Sequence, residues 1–304
     1  MKYNRNRSWP LVSIITVNFN TTTVTREMLF SMRRQHYPNL EIILVNNGSK
    51  EPSSELAQEF PEIIYIDNGS NLGFAGGNNS GMTHAKGEYF LWLNNDTEVD
   101  PDFLFPLVEK FEQDPKIGLV SPKILFFDHP NTLQFAGFGP ISKITGRGFS
   151  YGLGEIDRGQ YDERKQISRV HGAGMMFSKK LWLAIGPMSE IFFLYYEEID
   201  FSATAIEAGF EIWYEPTSRI WHKESISTGK QSPLKAYYYG RNRLLYLRRH
   251  TKGYAKLFMY IYYIFIAAPK NIFSMLRANE NEQAKAFTSG FLWNFNLTKN
   301  LSKP

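Results

Sequence analysis

Short apolar runs alternate with helical patterns through the first third of the chain, and this alternation constrains the fold more than any other feature. Four of the runs have the length and composition of strands, at residues 11–17, 41–45, 63–67 and 89–93. The segments between them include helical patterns, and such alternation is typical of a mainly parallel sheet with helices on its faces. The sequence therefore predicts an α/β fold of the nucleotide-binding type.

Helices are predicted between and after these strands. The first begins near Thr23, which can cap it, and runs to about residue 35, and the second covers about residues 75–85. A third follows Asp100 and Pro101, an N-cap with proline at the first helical position, and continues to about residue 111.

The middle of the chain is less regular. Residues 117–168 break into glycine-rich and proline-rich pieces, which predicts loops around a binding cleft. Order returns with a strand at about 170–177, a helix at about 178–186 and a further helix at about 197–209.

The composition changes again after residue 232, where aromatic and basic residues become frequent. An apolar run at residues 257–268 ends at Pro269 and is shorter than the roughly 20 residues needed to span a bilayer, so it predicts a buried or interfacial helix. The change marks a helical extension over residues 233–304 that follows an α/β domain over residues 1–232.

The composition and charge narrow the possible functions. The absence of cysteine excludes a disulfide framework, a cysteine-based zinc site and a thiol nucleophile. The first residues lead into a strand and not into a secretory apolar segment, which predicts a cytosolic start. Six basic residues near the C-terminus suit phosphates, lipid headgroups or nucleic acid, with a solvated helix face as the alternative. They are Arg241, Arg243, Arg248, Arg249, Lys252 and Lys256.

A polar turn follows the fourth predicted strand. Asn94, Asn95 and Asp96 stand at its C-terminal end, which is where open α/β sheets bind ligands. A carboxylate there can hold Mg²⁺ or Mn²⁺ together with substrate phosphates. Asp96 is therefore the predicted metal ligand, and a turn without a ligand is the alternative.

The glycine-rich segment NLGFAGGNNSG occupies residues 71–81, between the third strand and a helix. Gly73, Gly76 and Gly77 could let the backbone approach a ligand, and the following helix N-terminus offers N–H groups to a diphosphate. The segment matches neither the dinucleotide fingerprint nor a Walker loop, which disfavours reductases and phosphate hydrolases. A purely structural turn is the alternative.

Three acids open the helix that follows the aromatic run FFLYY. Glu197, Glu198 and Asp200 lie in its first turn, where the helix dipole alone favours acids. An acid beside an apolar wall also suits a general base, because its proton affinity can be tuned there.

The order of these motifs resembles glycosyltransferase family 2, an inverting family with the GT-A fold, and especially its bacterial rhamnosyltransferase-like members. The resemblance covers about residues 12–242 and runs from TVNFN through VNNGS, GFAGGNNSG and LNNDTEV to GAGMMF, YYEEID, WHKES and RNRLLYLRRH. It implies a GT-A type α/β fold with a nucleotide-sugar-binding half at about 10–116, an acceptor half at 117–232 and a helical C-terminal extension.

The resemblance also implies roles for particular residues. The acid that contacts the nucleotide base in the family corresponds to Asn46, a departure that leaves the base preference open. The metal motif of the family corresponds to residues 94–96, with only Asp96 retained as an acid and Asn94 assisting through its amide oxygen. His222 corresponds to a late histidine near the metal or diphosphate, with a packed or capping histidine as the alternative. The expected donor-binding residues are Asn18, Asn20, Asn46, Gly76, Gly77, Asn78, Asn94, Asn95 and Arg241.

The acid pair of the family corresponds to Glu197 and Glu198, with Asp200 close by. The second acid of the pair is the usual base, so Glu198 is expected to remove the proton from the acceptor hydroxyl. The implied reaction moves rhamnose or another hexose from a dTDP- or UDP-type donor to a glycan or lipid-linked acceptor in cell-surface polysaccharide synthesis, with Mg²⁺ or Mn²⁺ as cofactor.

The sequence also predicts where the protein acts, and it leaves two rival functions open. The basic and aromatic C-terminal segment predicts peripheral contact with the inner face of the plasma membrane, with packing on the catalytic domain or dimerisation as alternatives, and no nucleic acid partner is expected. A nucleotidyltransferase is one rival, although it would not need the acid pair. An inactive sugar-nucleotide-binding module is the other, suggested by Asn46 and Asn94 and opposed by Asp96 and Glu198.

Overall fold

A computed structural model describes Tyr3 and residues 7–50, 53–223 and 232–296 of the 304-residue chain. The chain forms two compact units. The first, here the sheet unit, consists of Met1–Gly139, Ser150–Phe193 and Glu197–Ser227, and the second, here the helical unit, of Pro140–Phe149, Leu194–Tyr196 and Thr228–Pro304. Two short segments from the middle of the chain therefore belong to the helical unit.

The sheet unit is built on one ten-stranded sheet. Its strands are β1 (Val12–Asn18), β2 (Leu40–Asn46), β3 (Ile63–Asp67), β4 (Tyr89–Leu93), β5 (Thr97–Val99), β6 (Ile117–Phe126), β7 (Leu133–Phe135), β8 (Lys165–Gln166), β9 (Gly174–Ser178) and β10 (Glu211–His222). The main order is β3-β2-β1-β4-β9-β6-β10-β5, with β7 beside β6 and β8 beside β10.

The first four strands form the parallel part of this sheet. β1 pairs in parallel with β2 on one side and with β4 on the other, so the strand order reverses at β1 and leaves a crevice at the carboxyl ends. Residues such as Ile14, Ile43 and Leu91 are fully buried because helices cover both faces, which explains the unbroken apolar runs. These strands match their predictions to within one residue, and pairing beyond β4 is mixed.

Six helices surround the sheet in the described part of the sheet unit, and the predicted ones lie close to their expected positions. They are α1 (Thr22–Arg33), α2 (Glu55–Glu59), α3 (Gly73–Met82), α4 (Leu104–Gln113), α5 (Lys179–Ile185) and α6 (Glu197–Glu207). Ser178 caps α5, because its hydroxyl accepts from the Leu181 N–H at 3.2 Å.

The prediction of loops over residues 117–168 is wrong at its start, where β6 forms a ten-residue buried strand. Gly118 and Pro122 made this segment resemble a loop, yet β6 lies between β9 and β10. Pro122 pairs with Glu215 where the register of β10 shifts, so its missing N–H falls at an irregularity of the ladder. The connection after β6 is tied back by Lys123, a fully buried lysine whose Nζ contacts Asp157 at 2.8 Å.

The helical unit contains four further helices within the described residues, namely α7 (Pro233–His250), α8 (Gly253–Tyr262), α9 (Ala268–Arg277) and α10 (Asn281–Trp293). Helices α7 and α10 approach closely through glycines. A Cβ added at Gly290 would lie 2.1 Å from the carbonyl oxygen of Tyr237, and one added at Gly240 would lie 2.5 Å from that of Phe287. The sequence therefore uses glycine to let these two backbones touch.

Helices α8 and α9 are joined by a π-helical turn at Tyr263–Ala267 and form one continuous helix over Gly253–Arg277. Pro269 does not end it, in contrast to the sequence prediction. Proline lacks an N–H and crowds the preceding turn, and a π turn is a common way to absorb this. The helix has 25 residues, and an 18-residue window of it has a mean hydropathy of 1.2. It is long and apolar enough to cross a membrane, which by length and composition alone is weak evidence.

Candidate active site

The carboxyl ends of β1, β2 and β4 carry asparagine side chains. Asn18 and Asn46 are the last residues of β1 and β2 and stand opposite each other in the parallel register, and Asn94 directly follows β4. The sequence motifs are thus brought together at the crevice, although their contacts differ from one residue to the next.

Asn95 is turned into the protein, and its predicted contact with a donor stays a prediction. Its amide nitrogen donates to the hydroxyl groups of Thr21 and Thr25, at 2.7 Å each. The Thr25 hydroxyl in turn donates to the Oδ1 atom of Asn18 at 2.9 Å. Asn18 and Asn95 are buried members of a network that fastens the start of α1 to the sheet, so their visible role is structural.

Asn46 and Asn20 differ from this pair. The Oδ1 atom of Asn46 is buried and accepts no hydrogen bond from the described residues, and buried acceptors of this kind are usually satisfied by a ligand or water. Asn20 has a φ of +55° and accepts from the Lys50 N–H at 2.8 Å. Asn46 therefore keeps the hydrogen-bonding capacity that its predicted role requires.

The glycine-rich segment is a helix, not a turn before one. In α3, a Cβ at Gly77 would lie 2.9 Å from the Val17 side chain, and one at Gly81 would lie 2.4 Å from that of Ile15. These glycines therefore let α3 lie directly against the sheet. Asn78 is buried and donates to the Phe74 carbonyl at 3.0 Å. The predicted donor contacts of Gly76, Gly77 and Asn78 stay predictions.

Asn47, which the sequence analysis did not single out, organises the approach to α3. Its amide nitrogen donates to the Asn71 side chain and the Gly73 carbonyl, at 3.1 and 3.0 Å. Its oxygen accepts from the Asn68 amide and from the Leu72 N–H. The signal was present in the sequence, as an amide directly after a strand and before Gly48.

Asp96 and His222 meet at the same edge of the sheet. The Asp96 Oδ1 and His222 Nε2 atoms are 3.1 Å apart, and both side chains are largely buried. Strand β5 pairs with β10 so that His222 stands opposite Thr97, and the Lys223 N–H donates to the Asp96 carbonyl at 2.9 Å. The Asn94 amide nitrogen lies 3.4 Å from Nε2. The structure thus joins Asn94 and Asp96, which the sequence placed in one turn, with His222, which was linked to them only through a resemblance.

Gln134 determines the chemical character of this pair and was missed in the sequence. Its Oε1 atom lies 2.9 Å from Nδ1 of His222, and a carbonyl oxygen only accepts. In its neutral form the imidazole therefore carries its proton on Nδ1 and a lone pair on Nε2. No described residue donates a hydrogen bond to the neighbouring Oδ1 of Asp96, so a lone pair and a carboxylate oxygen adjoin each other.

A divalent cation fits this arrangement. Ligands about 2.1 Å from a cation and at right angles to each other stand about 3 Å apart, close to the observed separation of the Asp96 and His222 atoms. Carboxylate and imidazole are suitable ligands for Mn²⁺, and carboxylate for Mg²⁺. Among the described residues no third acid or histidine joins the group, so a cation here would complete its coordination with phosphate oxygens and water.

His171 lies beside the pair as a neutral imidazole. Its ring centre is 5.9 Å from that of His222, and its Nδ1 atom accepts from the Ala173 N–H at 3.1 Å. Burial, followed by the neighbouring His222 and Arg169, lowers the pKa of His171 to about 3. His171 therefore adds no charge next to Asp96 at neutral pH.

The three acids of α6 differ in their exposure. Glu197 and Asp200 are 4% and 3% exposed, whereas 18% of the Glu198 side chain is exposed. An Nη1 atom of Arg169 lies 3.4 Å from the Glu198 carboxylate and orients it. Glu198 is thus the acid of this group that a substrate reaches most easily.

The backbone before these acids is strained. Phe193, Tyr195 and Tyr196 have φ values of +63°, +66° and +79°, a region that costs about 1–3 kcal/mol for each such residue. The side-chain amide of Asn242 donates to the Leu194 and Tyr195 carbonyls, at 2.8 Å each. Strain of this size is found where a backbone must aim particular side chains, and here it leads directly into α6.

Arg241 lies within the helical unit. Its guanidinium carbon is 4.2 Å from the centre of the Trp293 ring, and burial lowers the pKa of Arg241 below its ordinary value. Arg243 is also buried. The alternative of a solvated helix face therefore does not hold at these two positions, and the donor contact of Arg241 stays a prediction.

Known proteins match the chain in sequence. The family described as Glycosyl transferase family 2 matches residues 13–182. A low-salt glycan biosynthesis hexosyltransferase of Haloferax volcanii is 30% identical over 244 residues, which cover 77% of this chain and 74% of that protein. A poly-beta-1,6-N-acetyl-D-glucosamine synthase of Staphylococcus epidermidis is 28% identical over 213 residues, or 69% of this chain and 49% of that protein. The chain thus spans about half the length of the synthase.

Solved structures share the fold. A mannosyltransferase from Pyrobaculum calidifontis, solved with GDP-Man and Mn²⁺, gives a TM-score of 0.60 at 16% identity over 94% of this chain and 88% of that one. GalNAc-T7, solved with UDP, GalNAc and Mn²⁺, gives 0.62 at 15% identity over 87% of this chain and 57% of that one. The predicted GT-A type α/β fold is confirmed, and the rhamnosyltransferase-like branch stays a prediction.

The contacts of Asn95 generate a prediction about stability. Asn95→Leu should lower the free energy of unfolding by about 1–3 kcal/mol, because it removes the donor shared by the Thr21 and Thr25 hydroxyls. The matched control is Asn94→Leu at the neighbouring, half-buried position, and this variant should change the free energy of unfolding much less. Urea denaturation followed by tryptophan fluorescence measures both. Equal stability of the two variants would show that the network does not hold the sheet edge.

Proposed function

Since the chain belongs to glycosyl transferase family 2, we propose that it transfers a hexose from a nucleoside diphosphate donor to a hydroxyl group of a glycan or lipid-linked acceptor, with inversion at the anomeric carbon. Glycosyltransferase activity follows from the family, whereas the donor, the acceptor and the stereochemistry are the proposal. The observation that carries it is the pairing of Asp96 with the lone-pair nitrogen of His222 at the carboxyl edge of the sheet.

The donor end of the proposed site combines an acceptor atom with a cation position. Asn46 offers a buried oxygen to the nucleotide base, and Asp96 and His222 would hold Mn²⁺ or Mg²⁺. Bound there, the cation supplies Lewis-acid stabilisation for the charge that develops on the departing diphosphate. The Mn²⁺ in two solved neighbours supports this part of the proposal.

The acceptor end is assigned to Glu198. Its carboxylate accepts the proton of the attacking hydroxyl while the bond from the anomeric carbon to the diphosphate oxygen breaks. Arg169 is a positioning residue, because its guanidinium contacts Glu198 and also lies 3.7 Å above the centre of the Phe138 ring. One displacement of this kind inverts the anomeric carbon.

The identity of the sugar and the cellular role are broader parts of the proposal. Hexosyltransferase and polysaccharide synthase relatives support a hexose and cell-surface polysaccharide synthesis. Rhamnose from dTDP and hexoses from UDP are the donors to test first, and a GDP-linked hexose joins them because one solved neighbour binds GDP-Man. An inactive binding module would bind such donors without releasing nucleoside diphosphate. A nucleotidyltransferase would release pyrophosphate instead, and the family match disfavours it.

The long helix supports membrane contact on the cytoplasmic side. Between Gly253 and Arg277 it exposes apolar side chains at helical spacing, and they have no cover within the helical unit. They include Tyr254, Leu257, Phe258, Ile261 and Phe265. Exposed Lys252, Lys270 and Arg277 accompany them, and a helix with an apolar face and basic residues suits the surface of an anionic membrane.

Metal binding is the first test of the proposal. Asp96→Asn should abolish Mn²⁺ binding, measured by electron paramagnetic resonance, together with release of nucleoside diphosphate. Gln134→Leu should weaken Mn²⁺ binding by about 10–100-fold, because it releases the His222 ring from its fixed tautomer. The control Glu98→Gln changes a surface acid that pairs with Lys223 and should keep both properties. Full turnover in a chelator would remove the metal from the proposal.

The base is tested by Glu198→Gln, which keeps the size of the side chain and removes its ability to take a proton. Turnover should fall by about 100–10,000-fold, while donor binding, measured by calorimetry, is retained. Glu207→Gln at the other end of α6 is the control and should remain active. The assignment is wrong if Glu198→Gln turns over normally while Glu197→Gln or Asp200→Asn is inactive.

Membrane contact is tested on the exposed face of the long helix. The double variant Phe258→Glu with Phe265→Glu should lose flotation with vesicles that contain phosphatidylglycerol at low salt, because it places charge on the apolar face. Leu183→Glu, an equally exposed position of the sheet unit, should float like the unchanged protein. If the double variant instead converts a dimer to a monomer in sedimentation, this face is a protein interface.

A further inference from the structure

The helical unit contains a cavity of about 420 Å³ formed among its own segments. Three basic side chains line it, those of Arg147, Lys235 and Arg243, together with one acid, Glu280. The lining therefore has an excess of positive charge, which attracts anions. The volume lies in the range of sites that hold small organic ligands.

The wall of the cavity includes Tyr263, whose hydroxyl has no described hydrogen-bond partner. This residue begins the π turn, lines the cavity and is completely buried. Its hydroxyl has no hydrogen-bond partner among the described residues. Burial raises the pKa of Tyr263 to about 12, so the phenol is protonated at neutral pH and can donate. A buried donor of this kind is costly, and an oxygen of a bound ligand would satisfy it.

The positive charge nearest to Tyr263 is held in place by the backbone. Arg243 donates to the Thr145 carbonyl through Nε at 2.9 Å and through Nη2. Its guanidinium carbon lies 5.5 Å from the centre of the Tyr263 ring. A fixed guanidinium near the ring of a tyrosine with an unsatisfied O–H suits the oxygens of a phosphate group.

Apolar and uncharged polar side chains form the rest of the wall. Met275 and Phe287 line the cavity, and they suit a hydrocarbon or sugar portion more than a second charged group. The long helix supplies Tyr263, Asn271 and Met275 to the lining, and the same helix exposes the apolar face described above. A ligand held here would have its phosphate beside a helix that suits a membrane surface.

We propose that this cavity binds the phosphate or diphosphate group of an amphipathic ester, namely the membrane-lipid carrier of the acceptor glycan. The role of the ligand as acceptor rests on the proposed transferase function, whereas the phosphate site rests on Arg243, Lys235 and Tyr263 alone. Lys235 lies in the first turn of α7, which Ser232 caps through its hydroxyl, so the side chain starts from a fixed point of the backbone.

Direct binding to the 304-residue chain, without donor or metal, tests the site. The probes are geranyl diphosphate, inorganic pyrophosphate and geraniol. Isothermal titration calorimetry measures the binding of each. Geranyl diphosphate should bind saturably, pyrophosphate more weakly and geraniol not at all. Equal affinity for pyrophosphate and geranyl diphosphate would show a site for free phosphates and overturn the lipid part of the proposal. The absence of binding by both would overturn all of it.

Variants of the lining identify the place of binding. Tyr263→Phe and Lys235→Gln should each weaken the binding of geranyl diphosphate by about tenfold, since each removes one hydrogen-bond donor to the phosphate. Tyr263→Phe removes a hydroxyl that has no described partner, so folding should be preserved. Lys252→Gln, an exposed basic position outside the cavity lining, is the matched control. Unchanged affinity in both lining variants would overturn the assignment to this cavity.

Competition separates this inference from the proposed function. UDP and GDP should not displace geranyl diphosphate, and displacement would mean that the probe occupies the donor site and that the inference is wrong. In turnover assays, Lys235→Gln should raise the KM for a lipid-linked acceptor and leave the KM for the donor unchanged. If no donor is turned over while the probe still binds and responds to the variants, the transferase proposal fails and the phosphate site remains.

Discussion

The candidate site depends on the pairing of one long strand with a short one. β10 runs parallel to β6 and antiparallel to β5, and its last residue, His222, is thereby placed opposite Thr97 and beside Asp96. Asn94 and His222 are 128 residues apart in the chain, so only the register of the sheet brings them together. Because side chains alternate between the two faces of a strand, a slip of one residue would turn His222 away from Asp96.

The polar residues at this edge divide by where their hydrogen bonds go. Asn95 and Asn47 bond within the protein, one to the threonines of α1 and the other to the loop before α3. Asn46 and Asp96 each keep a buried oxygen that the described residues leave unsatisfied. The residues that bond within the protein make the edge rigid, and those with an unsatisfied oxygen leave it able to bind a ligand. A rigid edge matters because an unsatisfied buried group would otherwise find a partner by local rearrangement.

The sequence predicted the strands whose residues form an unbroken apolar run, and it missed those that combine apolar residues with loop-forming or charged ones. β1 and β4 are unbroken apolar runs, whereas β6 contains Gly118, Pro122 and a buried lysine, and these are tolerated only because of the strands beside them. The motif order located Asp96 and His222, but three adjacent polar residues do not reveal which one turns inward, and Asn95 does. Gln134 belongs to no motif and is recognisable only once β7 lies against β6.

The helical unit is assembled from distant parts of the chain, and this affects its synthesis. Residues 140–149 and 194–196 pack with residues beyond 228, as the bonds from Arg243 to Thr145 and from Asn242 to Tyr195 show. A ribosome adds about 5–20 residues per second, so the segment around residue 145 waits on the order of 5–20 seconds for α7 to emerge. The strained aromatic segment before α6, once it is made, also lacks the Asn242 amide until α7 is synthesised. The nascent chain therefore acquires the bonds that hold this segment ahead of the acids of α6 only after α7 has been made.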